Sequence, residues 1–181
     1  MNETRNMPPV LEGSKVILRP ISMADTPLIL KWRNTDSVRK NFIYRELFTE
    51  ETHINWMNTK VATGEVVQFI IHDKEHGRDV GSVYLRDINP LHESAEFGIF
   101  IGEDEARGRG IGSNAATLIC DYGFDALKLH RISLRLLGNN SAARRSYEKV
   151  GFKHEGTFTD MVKLDGKFTD IEFMAIVKKE G

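Results

Sequence analysis

Hydrophobic positions along the chain alternate between a strand-like period of two and a helix-like period near 3.6. "KVILRPI", Lys15 to Ile21, is short and β-branched, and "SMAD" after it has the Ser22–Asp25 spacing of a capping box, so a strand hands over to a helix. That helix carries Leu28, Leu30 and Trp32, breaks at Asn34 and is followed by a short turn over Asp36 to Phe42. Thr49 followed by Glu50 and Glu51 opens a helix to about Val61, because a hydroxyl cap and two acids suit a helix N-terminus. "EVVQFIIH" and "DVGSVYLRDI", joined by the polar "DKEHGRD", predict a hairpin. In "SAEFGIFI", Ala95, Phe97, Ile99 and Ile101 share one strand face, and Glu96, Gly98 and Phe100 the other. A helix from about Ile111 to Ala126 and the strand "RISLRLL" come next. Asn139 or Asn140 can cap "SAARRSYEKV", Gly151 suits a left-handed helix end, and two strands around Asp165-Gly166 close the chain as a hairpin. The order is mixed α and β, with about seven strands and four helices.

Composition narrows the class. The chain has 181 residues, 40% hydrophobic and 28% charged, which fits one domain over residues 14–181 behind a flexible tail at 1–13 containing Pro8 and Pro9. Lys and Arg total 25 against 26 for Asp and Glu, so no general field draws nucleic acid or an anionic membrane. "MNETRNMPPVLEG" has no apolar core of a leader, and no run of about 18 apolar residues occurs, so a cytoplasmic location is expected. Cys120 is the single cysteine and sits within a helical pattern, as a small core residue rather than a nucleophile. The histidines form no metal-ligand motif, and no metal is expected.

One stretch stands out. In "DEARGRGIGSNAATL", Gly108, Gly110 and Gly112 alternate with Arg107, Arg109 and Ile111 just before a helix. Glycine within an element costs roughly 0.5–1 kcal/mol relative to alanine, so three in alternation suggest that the backbone itself makes a contact. Backbone N–H groups and the positive end of a helix dipole converge there, which suits a phosphate, and Arg107 and Arg109 can add charge. A turn that merely reverses the chain is the other reading. The lack of a lysine after Gly112 argues against a Walker A loop, and the loop's position late in the chain, with no acid ending the next strand, argues against a dinucleotide fingerprint.

Two motifs carry a family resemblance. Arg107-x-x-Gly110-x-Gly112 is similar to the R/Q-x-x-G-x-G/A acyl-CoA signature of the GNAT superfamily of N-acetyltransferases. "NNSAARRSYEKVGF" is similar to its second motif, with Asn140, Ala143, Tyr147, Gly151 and Phe152 in register. "IGEDEARGRGIG" resembles the branch containing ribosomal-protein N-terminal acetyltransferases, and "KWRNTDSVRKNF" resembles a segment of acetyltransferases acting on amino-sugar nucleotides. The resemblance implies a mixed, mostly antiparallel sheet whose fourth and fifth strands, here "EFGIFI" and "RISLRLL", splay apart. The pantetheine of acetyl-CoA, the co-substrate, would fill that gap by strand addition. Main-chain contacts are implied from Phe100, Ile101, Arg107, Gly108, Arg109, Gly110, Ile111, Gly112 and Ser113; Gly98 is consistent with a bulge at the splay, and a main-chain N–H near that bulge would meet the developing oxyanion.

Transfer of an acetyl group to an amine calls for a neutral nucleophile and a proton for the departing thiolate. On spacing alone Tyr147 is a half-buried tyrosine whose hydroxyl reaches a rim; the resemblance implies the proton donor. Asn140 is a helix cap that by resemblance also bonds pantetheine. Glu96 is either a solvated strand acid or the base for the amine, acting directly or through water. Trp32 and Arg33 are candidates for the acceptor, the ring flanking a sugar and the cation meeting phosphate, against the alternative of core and surface roles. Asn114 stands where relatives often have glutamate. A protein N-terminus or a polyamine are alternative acceptors, a homodimer is possible, and an acyl-CoA-binding module without turnover is the alternative of another class, against which Tyr147 argues.

Overall fold

Every pair of neighbouring strands but one is antiparallel in this computed structural model, which describes residues 7–180. The strands are β1 (Leu11–Glu12), β2 (Val16–Pro20), β3 (Val67–Asp73), β4 (Arg78–Asn89), β5 (Ser94–Ile101), β6 (Arg131–Leu137), β7 (Lys153–Leu164) and β8 (Lys167–Val177). They form one sheet in the order β1-β2-β3-β4-β5-β6-β8-β7. The helices are α1 (Thr26–Arg33), α2 (Asp36–Arg39), α3 (Glu50–Trp56, continued by a π turn over Met57–Val61), α4 (Ile111–Asp125) and α5 (Ser141–Val150).

Eight strands and five α-helices among the described residues therefore replace the expected seven and four. The extra strand lies in the expected tail: Leu11 and Glu12 pair with Leu18 and Ile17, and Gly13 N–H closes the turn on the Val16 carbonyl at 2.8 Å. Two residues are too few to show a period, so β1 leaves no trace in the pattern. Residues 1–6 of that tail lie outside the described residues. The extra helix is α2, a single turn where the sequence reads as a turn. No helix among the described residues is long and apolar enough to cross a membrane.

Local signals act as their chemistry requires. Thr49 Oγ1 accepts the Thr52 N–H at 3.2 Å and Asn140 Oδ1 the Ala143 N–H at 3.2 Å, each satisfying a donor that the first helical turn leaves unpaired. Asp165 and Gly166 both have positive φ, 49° and 78°, the conformation that a two-residue hairpin turn favours.

Alternation along the strands divides the core into two layers. Phe69, Phe97, Ile119 and Phe152 belong to the side covered by α4 and α5, and Ile70 and Phe100 to the side covered by α1 and α2, with Ile29, Trp32 and Val38. Trp32 is fully buried, and its Nε1 donates to Glu103 Oε1 at 2.8 Å. The acceptor role proposed for this ring is thereby corrected: fully buried, it is the anchor of α1. Gly102 lies directly beneath it, where a methyl group would overlap the indole. Gly102→Ala is expected to destabilise the fold by about 1–3 kcal/mol, the usual range for forcing extra volume into a packed core. Urea denaturation measures this, and wild-type stability would show that α1 can ride outward without loss.

Candidate active site

The one parallel pair in the sheet is also the shortest long-range contact between major strands. β5 and β6 match only over Ser94–Glu96 and Arg131–Ser133, yet β5 continues to Ile101 and β6 to Leu137. The expected splay is therefore present, between the fifth and sixth strands now that β1 is counted. Gly102 N–H donates to the Val80 carbonyl at 2.8 Å, so along an antiparallel strand the main chain of Phe97, Ile99 and Ile101 faces the other way, into the gap. This corrects the expectation for Phe100. Its main chain faces Ser82 on β4 and its ring is buried, while Ile99 joins Ile101 at the open edge. Nor is there a bulge at Gly98: it sits in regular register opposite Tyr84, and glycine is needed because a methyl group would overlap that ring.

A cleft of about 930 Å³ runs through the splay. One end is the glycine loop. Gly108 and Gly110 have φ of 73° and 79°, left-handed values that glycine adopts without strain, and they lead into the first turn of α4. Gly108, Gly110, Ile111, Gly112 and Ser113 all line the cleft. A Cβ on Gly112 would meet nothing nearer than Ile99 Cδ1 at 3.9 Å, so it would project into open cleft. Arg107 steadies the approach, donating to the Ile101 carbonyl at 2.7 Å and pairing with Asp104 at 2.9 Å.

Arg109 departs from expectation. Its guanidinium turns away from the cleft to Asp73 at the end of β3, at 2.8 Å, and to Glu75. Asp73 is buried at 1% exposure, and the Arg109 guanidinium holds its carboxyl down at about 2, below the usual carboxylate range. From the same side Lys15 Nζ donates to the Arg109 carbonyl at 2.6 Å, and Asn114 Oδ1 accepts the backbone N–H groups of Lys15 and Val16 at 3.0 and 3.2 Å. Asn114 thus ties α4 to β2. Asp73, Glu75 and His76 have metal-ligand spacing, but Arg109 engages both carboxylates and His76 Nδ1 lies 2.9 Å from Asp73. Lys15 and Asp73 were not legible as loop supports, since both partners are far away in the chain.

The middle of the cleft holds the titratable groups. Tyr147 stands on α5 with its ring 5.7 Å from that of Phe97 and 6.0 Å from that of Phe152, edge-on to both. Burial pushes its phenol up to about 12. Glu96 lies on the opposite face of β5, and its Oε1 accepts from Arg86 at 2.6 Å and from Arg135 Nη2 at 3.1 Å. Asn140 lines the cleft as well as capping α5, with Nδ2 3.4 Å from Asn41 Oδ1. Arg33 lines the far wall, its guanidinium carbon 3.6 Å from the centre of the Phe42 ring.

A loop of main-chain donors, a parted strand pair and a half-buried tyrosine between them line one continuous cleft. Residues 15–153 match the family described as Acetyltransferase (GNAT) domain, and the chain belongs to that family, whose members use acetyl-CoA to acetylate amines. It is 30% identical over 180 residues to the Bacillus subtilis protein named Probable N-acetyltransferase YjcK, covering 94% of this chain and 98% of that one. It is 26% identical over 168 residues to the spermidine N(1)-acetyltransferase of Vibrio cholerae, covering 93% and 96%. The crystal structure of the Vibrio cholerae enzyme in complex with CoA and spermine superposes with a TM-score of 0.83 at 27% identity, over 91% of this chain and 96% of that one.

Asp73 generates a pH prediction. Its folded pKa lies below the unfolded value of about 3.9, so its stabilisation is present above about pH 4 and is lost as the pH falls from there towards 2. Arg109→Ala should lower Tm by several degrees at pH 7, with the gap to wild type closing over that acid window. Melting curves from pH 7 to 2 test this; a gap that stays constant would remove Asp73 from the account.

Proposed function

We propose that this transferase acetylates a small primary amine by direct attack in a ternary complex, with Tyr147 as proton donor to the departing thiolate. Acetyl-CoA supplies the activated acetyl group. The observation that carries the reading is the place of Tyr147: a half-buried side chain on α5 that lines the cleft at the splay, packed against Phe97, with a phenol that keeps its proton at neutral pH, as a general acid must. Main-chain N–H groups from Gly108 to Ser113, helped by Arg107, would hold the diphosphate, and the open edge of β5 at Ile99 and Ile101 the pantetheine. Arg109 acts from behind, by holding the loop. Asn140 uses its Oδ1 as a cap and one N–H of its Nδ2 on Asn41, which leaves the other N–H for the ligand. Glu96 Oε1 is occupied by two arginines, which leaves Oε2 to take the amine proton directly or through water.

An amino-sugar nucleotide is the acceptor suggested by the segment Lys31–Phe42. A polyamine is the second reading, favoured by the likeness to spermidine acetyltransferases. Charge argues against it: the acids lining the cleft are Glu46 and Glu96, against Arg33, Arg86, Arg107, Arg135 and Lys149. A panel of amines including spermidine and amino sugars, read by thiol release, decides between them. A homodimer belongs to the same reading, supported by the apolar side chains exposed on β7 and β8 at Phe158, Met161 and Phe168, and sedimentation tests it.

Tyr147→Phe keeps the ring against Phe97 and removes the proton. It should lower kcat by about 10²–10⁴-fold, the usual weight of a general acid, with coenzyme affinity intact. Wild-type kcat in this variant would transfer the role to a water. Gly112→Val is the clean probe of the loop, because Gly108 and Gly110 need positive φ and Gly112 does not. It should weaken acetyl-CoA binding by about tenfold or more, or about 1.4 kcal/mol, without loss of Tm; unchanged affinity in calorimetry would refute the anion loop.

A further inference from the structure

The arginines of the cleft differ in one respect. Arg86 and Arg135 share Glu96, and Arg107 pairs with Asp104. Arg33 is half-buried and has no carboxylate and no hydrogen-bond acceptor among the described residues. Its guanidinium lies between aromatic rings, 3.6 Å from the centre of Phe42, 5.0 Å from that of Phe48 and 5.8 Å from that of Phe100. The Phe42 ring lies at contact distance from the fork and helps to fix it, while its N–H groups stay unpaired among the described residues. Burial pulls the guanidinium's pKa down, the mark of a charge taken partly out of water without compensation.

Position says what kind of ligand supplies the missing charge. Glu96, Gly98 and Phe100 share one face of β5, with Tyr84 and Arg86 beside them on β4, and Arg33 covers that face from α1. Tyr147 stands on the other face, against Phe97. The glycine loop, at the end of β5, has its own main-chain donors and Arg107. The unpaired guanidinium is thus on the side from which an amine would approach Glu96, not beside the diphosphate loop.

We infer that Arg33 is the anchor for an anionic group, a carboxylate or a phosphate, carried by the amine acceptor itself. The inference rests on the transferase reading above for the word acceptor, but the anion subsite can be tested without turnover. A guanidinium fork meets either group with paired N–H···O bonds, and hydrogen bonds to charged partners of this kind favour the ligand that makes them by about 10–100-fold. A polycation would instead be repelled by Arg33.

The test uses the full chain saturated with CoA, so that the diphosphate loop is already filled. Calorimetry compares matched amines: ethanolamine with O-phosphoethanolamine, propylamine with β-alanine, glucosamine with glucosamine 6-phosphate, and spermidine. The anion-bearing member of at least one pair should bind about tenfold or more tighter than its neutral counterpart, and the pair that responds tells phosphate from carboxylate. Arg33→Gln should abolish the preference with CoA affinity unchanged, and Arg33→Lys should restore part of it; a melting curve for each variant confirms that it is folded. Equal affinity within every pair, including no measurable binding by either member, overturns the inference. So does a preference for spermidine, a preference that survives in Arg33→Gln, or a loss of CoA affinity in that variant. Thiol release with the same amines is read separately: preference without turnover would sink the transfer reaction and leave the Arg33 subsite standing.

Discussion

The structure depends on the point at which β5 and β6 stop pairing. Two buried parallel strands ordinarily satisfy each other's main chain along their length, because an unpaired buried N–H or carbonyl carries a desolvation penalty of about 1–3 kcal/mol. Here the ladder ends after Glu96 and Ser133, and the remaining five residues of β5 present one edge to a cleft. α5, which follows β6 after a short turn, lays Tyr147 against Phe97 on one side of that edge, and the Glu96–Arg135 pair spans it on the other. The cleft reaches both faces of the sheet.

The arginines around this opening fall into two kinds. Arg86, Arg107, Arg109 and Arg135 each have a carboxylate close by and act as parts of the wall. Exposed pairs of this sort add little stability, but Asp73 is buried and its pairing with Arg109 bears on the position of the glycine loop. Arg33 is of the other kind, held by rings and left with its donors unspent. That contrast, more than net charge, separates framework from ligand site.

Much of this was legible along the chain because it is local. The caps at Thr49 and Asn140, the left-handed glycine at 151, the Asp165-Gly166 turn and the span of α4 all arise from interactions within a few residues, and each lies where the pattern puts it. The Arg107–Ser113 loop and the Asn140–Phe152 register were enough to indicate the family, because both motifs are continuous segments. The misreadings have the opposite character. Trp32 is as consistent with a sugar-stacking ring as with a core anchor until Glu103 and Gly102 are placed beside it. Arg109 reads as a phosphate ligand until Asp73, 36 positions earlier, takes its charge. Phe100 and Ile99 exchange roles through the phase of one β4 pairing.

By itself, then, the sequence determined the succession of elements, the two layers of apolar residues and the segments from which the site is made. Only the tertiary structure decided which way each side chain and each main-chain edge faces, and so which cleft arginines are paired with a carboxylate and which, among the described residues, is not. The physical reason is one of range: caps, turns and periodicity are energies between near neighbours, whereas the direction of Arg33, Arg109 or the β5 edge is set by partners brought from elsewhere in the chain by the packing of the sheet.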